Sequence, residues 1–169
     1  MTDNQNLEMK NKAHVQEVYV DKAIRLLKFC IGIFALSGIT YLIALAYNLF
    51  DFGLIFEIIS FIFVLLSIDR LKQHKLQSSK KTIVIAMIPI GWLIIYDFIN
   101  LLANLGEVIR EVVNYYTSID QFFYFLGPYL VDVTLISLIV LLYKSYSSVN
   151  KADGTTVSNS YADTFYNKL

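Results

Sequence analysis

FCIGIFALSGITYLIALAYNLF, residues 29–50, contains no charged side chain. As a helix rising about 1.5 Å per residue it is roughly 33 Å long, enough to cross a hydrocarbon core of about 30 Å. Three more apolar stretches follow. Residues 52–68 hold a single charge, Glu57; residues 82–105 hold only Asp97; residues 122–143 hold only Asp132. A helix of a water-soluble bundle keeps a polar face opposite its apolar stripe. These segments carry Phe, Ile and Leu at every angle. The pattern therefore predicts an all-α membrane protein, with four transmembrane helices packed as a small antiparallel helical bundle.

Composition agrees. Of the 169 residues, 56% are hydrophobic and only 17% are charged, against about a quarter in soluble domains. Lys+Arg and Asp+Glu each total 14, so no basic excess points to a nucleic-acid partner. Cys30 is the single cysteine, which excludes an intrachain disulfide and a cysteine-built metal site. It reads as a small apolar residue near the end of a helix. The first apolar run follows 28 mostly polar residues and is too long for a cleavable signal, so it is expected to stay in place as an anchor.

The basic residues set the orientation. Lys10, Lys12, Lys22, Arg25 and Lys28 precede the first span. Arg70, Lys72, Lys75, Lys80 and Lys81 lie between the second and third, and Lys144, Lys151 and Lys168 follow the fourth. Only Arg110 falls on the other side. The positive-inside rule puts both termini and the middle loop in the cytoplasm, as in a multi-pass protein of a cell membrane, with the bacterial cytoplasmic membrane the best fit.

Residues 1–21 read as a polar cytoplasmic segment and residues 22–143 as the transmembrane domain. Residues 144–169, rich in Ser, Asn, Thr and Asp, read as a disordered cytoplasmic tail. A tight outer hairpin at residues 48–53 joins the first two spans, and a short basic loop, residues 69–81, joins the middle two. The outer loop, residues 106–121, places Val108, Ile109, Val112, Val113 and Tyr116 on one helical face and Glu107, Arg110, Glu111 and Asn114 on the other. Ser118 to Gln121 has the form of a capping box opening the fourth span.

Chemistry is expected at the three acids. A charge at the centre of a span costs roughly 2.5–3.5 kcal/mol on insertion scales, so such residues mark functional sites by default. The topology puts Glu57, Asp97 and Asp132 in the outer half or near the midplane, with no Lys, Arg or His at comparable depth. Helical spacing aligns Glu57 with Ser60 and Ser67, Asp97 with Asn100 and Asn104, Ser37 with Tyr41, Ala44 and Asn48, and Tyr129 with Asp132. Lipid cannot satisfy polar groups, so the four stripes should face inward. Glu57, Asp97, Asp132, Asn100 and Asn48 would then line an acidic cavity opening outward. Two roles compete there. Protonated carboxyls can lock the bundle by bonding to Asn100, Asn48 or a tyrosine, or the acids can bind a cation or a positively charged partner. Pro89 and Gly127-Pro128 are tolerated bends or kinks that free carbonyls.

Enzymatic motifs are missing from the sequence. It has no glycine-rich phosphate loop and no paired-histidine metal motif, and its two histidines, His14 and His74, lie in expected cytoplasmic segments. Arg70 and His74 share a solvated basic loop suited to anionic lipid. No cofactor is implied. The expectation is a non-enzymatic binding, regulatory, immunity or accessory factor. Its partners are the lipid bilayer and either another membrane protein or further copies of itself. The alternative is an oligomeric cation or proton transporter or pore that uses the carboxylates. The stripes thin toward the cytoplasmic half, which favours the first.

Overall fold

A computed structural model describes residues 3–46, 53–103 and 132–154, with side chains from residue 10 and, in the first helix, as far as residue 39. All the regular structure described is helical. α1 is Asp3–Ala46, α2 Gly53–Lys72, α3 Leu76–Ala103 and α4 Asp132–Gly154. The hairpin at residues 48–52, the outer loop at 106–121, the capping box, Gly127-Pro128, Tyr129 and the tail from 155 lie outside the described residues.

The buried positions explain why four helices associate. In α1 they are Val20, Ala23, Leu27, Cys30, Phe34 and Ser37. In α2 they include Gly53, Glu57, Ser60, Val64, Ser67 and Leu71. In α3 they include Leu76, Ser79, Ile83, Ala86, Ile90 and Leu93, and in α4 Leu135, Leu138, Leu142, Ser145, Val149 and Ala152. Every series advances in alternating steps of three and four. That is the seven-residue period of helices packed by knobs into holes, with a left-handed supercoil and crossing angles near 20°. Small residues recur at seven-residue intervals within it: Ala23, Cys30 and Ser37; Gly53, Ser60 and Ser67; Ser79 and Ala86; Ser145 and Ala152. Small side chains let helix backbones approach closely, which is how helices associate where lipid gives them no hydrophobic drive. Cys30 fills one of these small positions inside α1, not near a helix end.

Side-chain contacts give the helix order. Phe34 of α1 meets Phe61 of α2 edge to face, with ring centroids 5.8 Å apart. Ser67 Oγ of α2 lies 2.8 Å from Thr82 Oγ1 of α3. Lys80 of α3 bridges to Asp153 of α4 at 2.6 Å. Ser145 Oγ of α4 donates to Ala23 O of α1 at 3.2 Å, which closes the ring. Residues Tyr19, Gln73 to Lys75 and Gly154 share one end, called here the turn end. Gly53, Ala103 and Asp132 lie toward the opposite, distal end.

Two boundaries differ from the expectation drawn from polarity. The loop foreseen at residues 69–81 shrinks to Gln73, His74 and Lys75. His74 takes a left-handed φ of 56°, its N–H donates to Leu71 O, and Lys75 N–H donates to Arg70 O. This 6→1 and 5→2 pair is a Schellman closure of α2. Arg70 then reaches across to Ser78 O at 3.0 Å. At the other boundary, α4 continues to Gly154, through residues expected to lose order. Ser145, Ser148, Val149 and Ala152 are buried there, Lys151 sits over the Tyr19 ring, and Asp153 accepts from Lys80 and Gln77. The polar composition belongs to a packed seam, not to a solvated tail. α1 likewise runs unbroken from the polar opening residues into the apolar stretch. At about 66 Å it projects past the bundle at the turn end.

Candidate functional site

The bundle sorts the expected residues into three groups. Glu57, Ser60 and Ser67 are all buried along α2, so the acid points into the bundle as its spacing required. Ser37 of α1 is buried as well, while the side chains of Tyr41, Ala44 and Asn48 lie outside the described residues. The Phe34–Phe61 contact places Ser37 close to the level of Glu57, because the two helices run antiparallel. Ser60 Oγ is buried and, among the described residues, has no hydrogen-bond partner. A helical serine ordinarily bonds back to a carbonyl one turn before it, as Ser67 does to Phe63 O at 2.7 Å.

The second group is a carboxyl pair. Asp97 on α3 and Asp132 on α4 bring their carboxyl groups close enough to interact. Both residues are partly buried. The register that joins them is set well away from them. Lys80 meets Asp153 at the turn end, and a Cβ on Gly91 would lie 3.7 Å from Ile139 Cδ1 midway. Asp97 falls opposite Asp132 in the same antiparallel alignment. Glu57 belongs to a different level. With Ser67 beside Thr82 and Arg70 beside Ser78, it sits about 8 Å nearer the turn end than Asp97.

Asn100 corrects the sequence reading. It was expected inward beside Asp97, and it is exposed. α2 begins at Gly53, roughly level with Tyr96 of α3, so the residues of α3 beyond that level have no α2 surface to pack against. The inward stripe narrows there to the partly buried Asp97 and Leu101. The walls of the cavity expected above these acids would come from residues 47–52 and 104–131, outside the described residues. Among the described residues, no three of His, Cys, Asp and Glu cluster closely enough to hold a metal ion.

The third group was not foreseen. Ser67, Ser79, Thr82, Ser145 and Ser148 are buried in the turn-end half, where the polar stripes were expected to thin out. Ser79 Oγ donates to Ser67 O at 3.2 Å, Thr82 Oγ1 lies 2.9 Å from Ser79 O, and Ser148 Oγ donates to Lys144 O at 2.9 Å. Each hydroxyl is satisfied by neighbouring backbone or by another hydroxyl, and none is ionisable near neutral pH. The seven-residue recurrence of Ser, Ala, Cys and Gly was the signal in the sequence that could have located them.

Comparison of the chain with protein families, with curated proteins and with solved structures found no match. The site therefore has to be read from its own chemistry.

Proposed function

We propose that the chain is a four-span integral membrane protein with both termini in the cytoplasm. In this reading it acts as a non-enzymatic binding or regulatory factor through acids that face outward. The exterior supports the membrane assignment. α3 and α4 are long and apolar enough to cross a bilayer. Phe29, Leu36 and Ile39 of α1, Ile55, Ile58 and Ile62 of α2, Ile88 and Trp92 of α3, and Val133 and Ile136 of α4 are all exposed. Soluble monomers rarely expose contiguous apolar surface on this scale, whereas a bilayer solvates it. α1 carries no charge from Phe29 to Ala46, and α2 buries its one mid-helix acid, Glu57.

One observation carries the choice of binding over transport, namely the packing beneath the acids. Leu27, Leu71, Ile83, Leu142 and Val149 are fully buried between Glu57 and the turn end. The hydroxyls of Ser67, Ser79, Thr82, Ser145 and Ser148 among them are bonded to backbone or to one another, and Ser60 Oγ, one turn below Glu57, has no hydrogen-bond partner among the described residues. A path for ions needs successive exchangeable polar groups, and this layer supplies apolar side chains instead. The Asp97–Asp132 pair and Glu57 then serve a cation or a cationic group of a partner approaching from outside, a rare and costly placement for acids unless it is used.

The test is flux of protons and of monovalent and divalent cations through the purified protein in liposomes. No flux above protein-free vesicles is expected for wild type, Asp97→Asn or Asp132→Asn. Flux in wild type that disappears in both variants would establish transport and overturn the binding reading.

A further inference from the structure

The basic residues at the turn end include two contrasting groups, besides the exposed Lys22, Lys72 and Lys75. Arg70 and Lys80 are committed internally, to Ser78 O and to Asp153 with Asn150, and Lys151 covers Tyr19. Arg25, Lys28, Lys81 and Lys144 are exposed, and none of their side chains has a hydrogen bond or ion pair among the described residues. They come from α1, α4 and α3, three helices consecutive around the ring through the Ser145–Ala23 and Lys80–Asp153 contacts. The same contacts bring Arg25, Lys144 and Lys81 within about 14 Å of one another along the bundle axis, with Lys28 about one helical turn distal to Arg25.

Each of these helices carries exposed apolar side chains immediately distal to its cation. Phe29 follows Lys28, Tyr143 precedes Lys144, and Val84 lies one turn beyond Lys81; all three are exposed. A ligand that fits this surface has an anionic head beside apolar chains. Two of the acids at this end are engaged, and Glu17 is exposed on α1. Asp69 accepts from Gln73 at 2.8 Å, Asp153 is held by Lys80 and Gln77, and Asp21 stays exposed on α1.

We propose that Arg25, Lys28, Lys81 and Lys144 form a patch across α1, α4 and α3 that binds the phosphate of anionic phospholipids in the inner leaflet. This rests on the four-span reading above. Lysine stems lie along the apolar belt while their ammonium groups reach the headgroup layer. Attraction to an anionic leaflet raises lipid preference about fivefold for each lysine engaged. Selection of headgroup charge by this patch is a separate property from the outward-facing acids.

Trp92, the only tryptophan, provides the probe. It is exposed on α3, about 16 Å distal to Lys81. Through the contacts that order the helices it lies close to the level of Lys28, beside the patch. Its fluorescence is measured in vesicles of phosphatidylcholine containing either brominated phosphatidylcholine or brominated phosphatidylglycerol. The expected result is stronger quenching by brominated phosphatidylglycerol, with the preference falling to parity in the combined Lys28→Gln, Lys81→Gln, Lys144→Gln variant. Unchanged quenching of that variant by brominated phosphatidylcholine shows that it is folded and inserted. A combined Lys10→Gln, Lys75→Gln variant keeps the preference, which separates the patch from net charge. Equal quenching of the wild type by both lipids overturns the proposal, and so does a preference that survives in the triple variant. A preference abolished by inorganic phosphate at constant ionic strength assigns the patch to free phosphate instead. No quenching by either lipid overturns the four-span reading itself.

Discussion

Replacing Ala86 with leucine tests the packing principle most sharply. Ala86 is fully buried at a small position of the α3 seam, between Ile83 and Ile90. The antiparallel registers put it level with Val64 of α2 and Ser145 of α4, both fully buried. Leucine adds three carbons where the interior is already filled, and overpacking of this kind costs about 1–3 kcal/mol. In a water-soluble bundle, burying the added carbons would return about 0.8 kcal/mol each, roughly cancelling that cost. In lipid the separated helix already holds its leucine in an apolar solvent, so nothing offsets the clash. Ala86→Leu is therefore expected to lose about 1–3 kcal/mol, while Ile85→Ala, on the exposed face, stays within about 0.5 kcal/mol of wild type. Reversible unfolding in mixed micelles, titrated with dodecyl sulfate and followed by far-UV circular dichroism, measures both. Ala86→Leu as stable as wild type, or more stable, would refute the close-packed seam.

Three other substitutions probe particular contacts. Gly91→Ala places its new methyl 3.7 Å from Ile139 Cδ1, an ordinary van der Waals distance, and removes a helix-interior glycine. A gain of about 0.5–1 kcal/mol is expected in the same titration, and a loss would show that α3 and α4 lie closer than described. His74→Gly relieves a left-handed φ of 56° at the Schellman position, for a gain of about 1 kcal/mol. A destabilised variant would mean that the imidazole contributes more than the turn costs. Asp153→Ala removes the acceptor of both Lys80 and Gln77, at an expected cost of about 1.5–3 kcal/mol, because hydrogen bonds to charged groups are the stronger kind. Amide hydrogen exchange should rise across residues 144–154 in that variant. Unchanged exchange would mean that the α4 extension is held by Ser145, Val149 and Ala152 alone.

The helical bundle was legible because charge-free segments such as residues 29–50 leave few alternatives. Helix ends were harder. The rule that clustered polar residues mark loops or disorder fails at Ser79, Ser145 and Ser148, which are buried and bonded to backbone. Their size, not their polarity, determines their place, and a seven-residue search for Gly, Ala, Ser and Cys would have extended α3 and α4 correctly. At the site, the Glu57–Ser60–Ser67 stripe followed from helical spacing within one element. The pairing of Asp97 with Asp132 did not, because it depends on an interhelical register fixed by Lys80, Asp153, Gly91 and Ile139. Asn100 misled for the same reason. Its position on α3 was readable, but the level at which α2 starts was not.

The most direct test of the four-span arrangement is cysteine labelling in intact cells, in a Cys30→Ala background. Asp51→Cys, His74→Cys, Ser118→Cys and Ser160→Cys are each treated with a membrane-impermeant maleimide before and after permeabilisation. Labelling of positions 51 and 118 in intact cells, and of 74 and 160 only after permeabilisation, is the expected result. Labelling of His74→Cys in intact cells, or recovery of the protein in the soluble fraction, would contradict it.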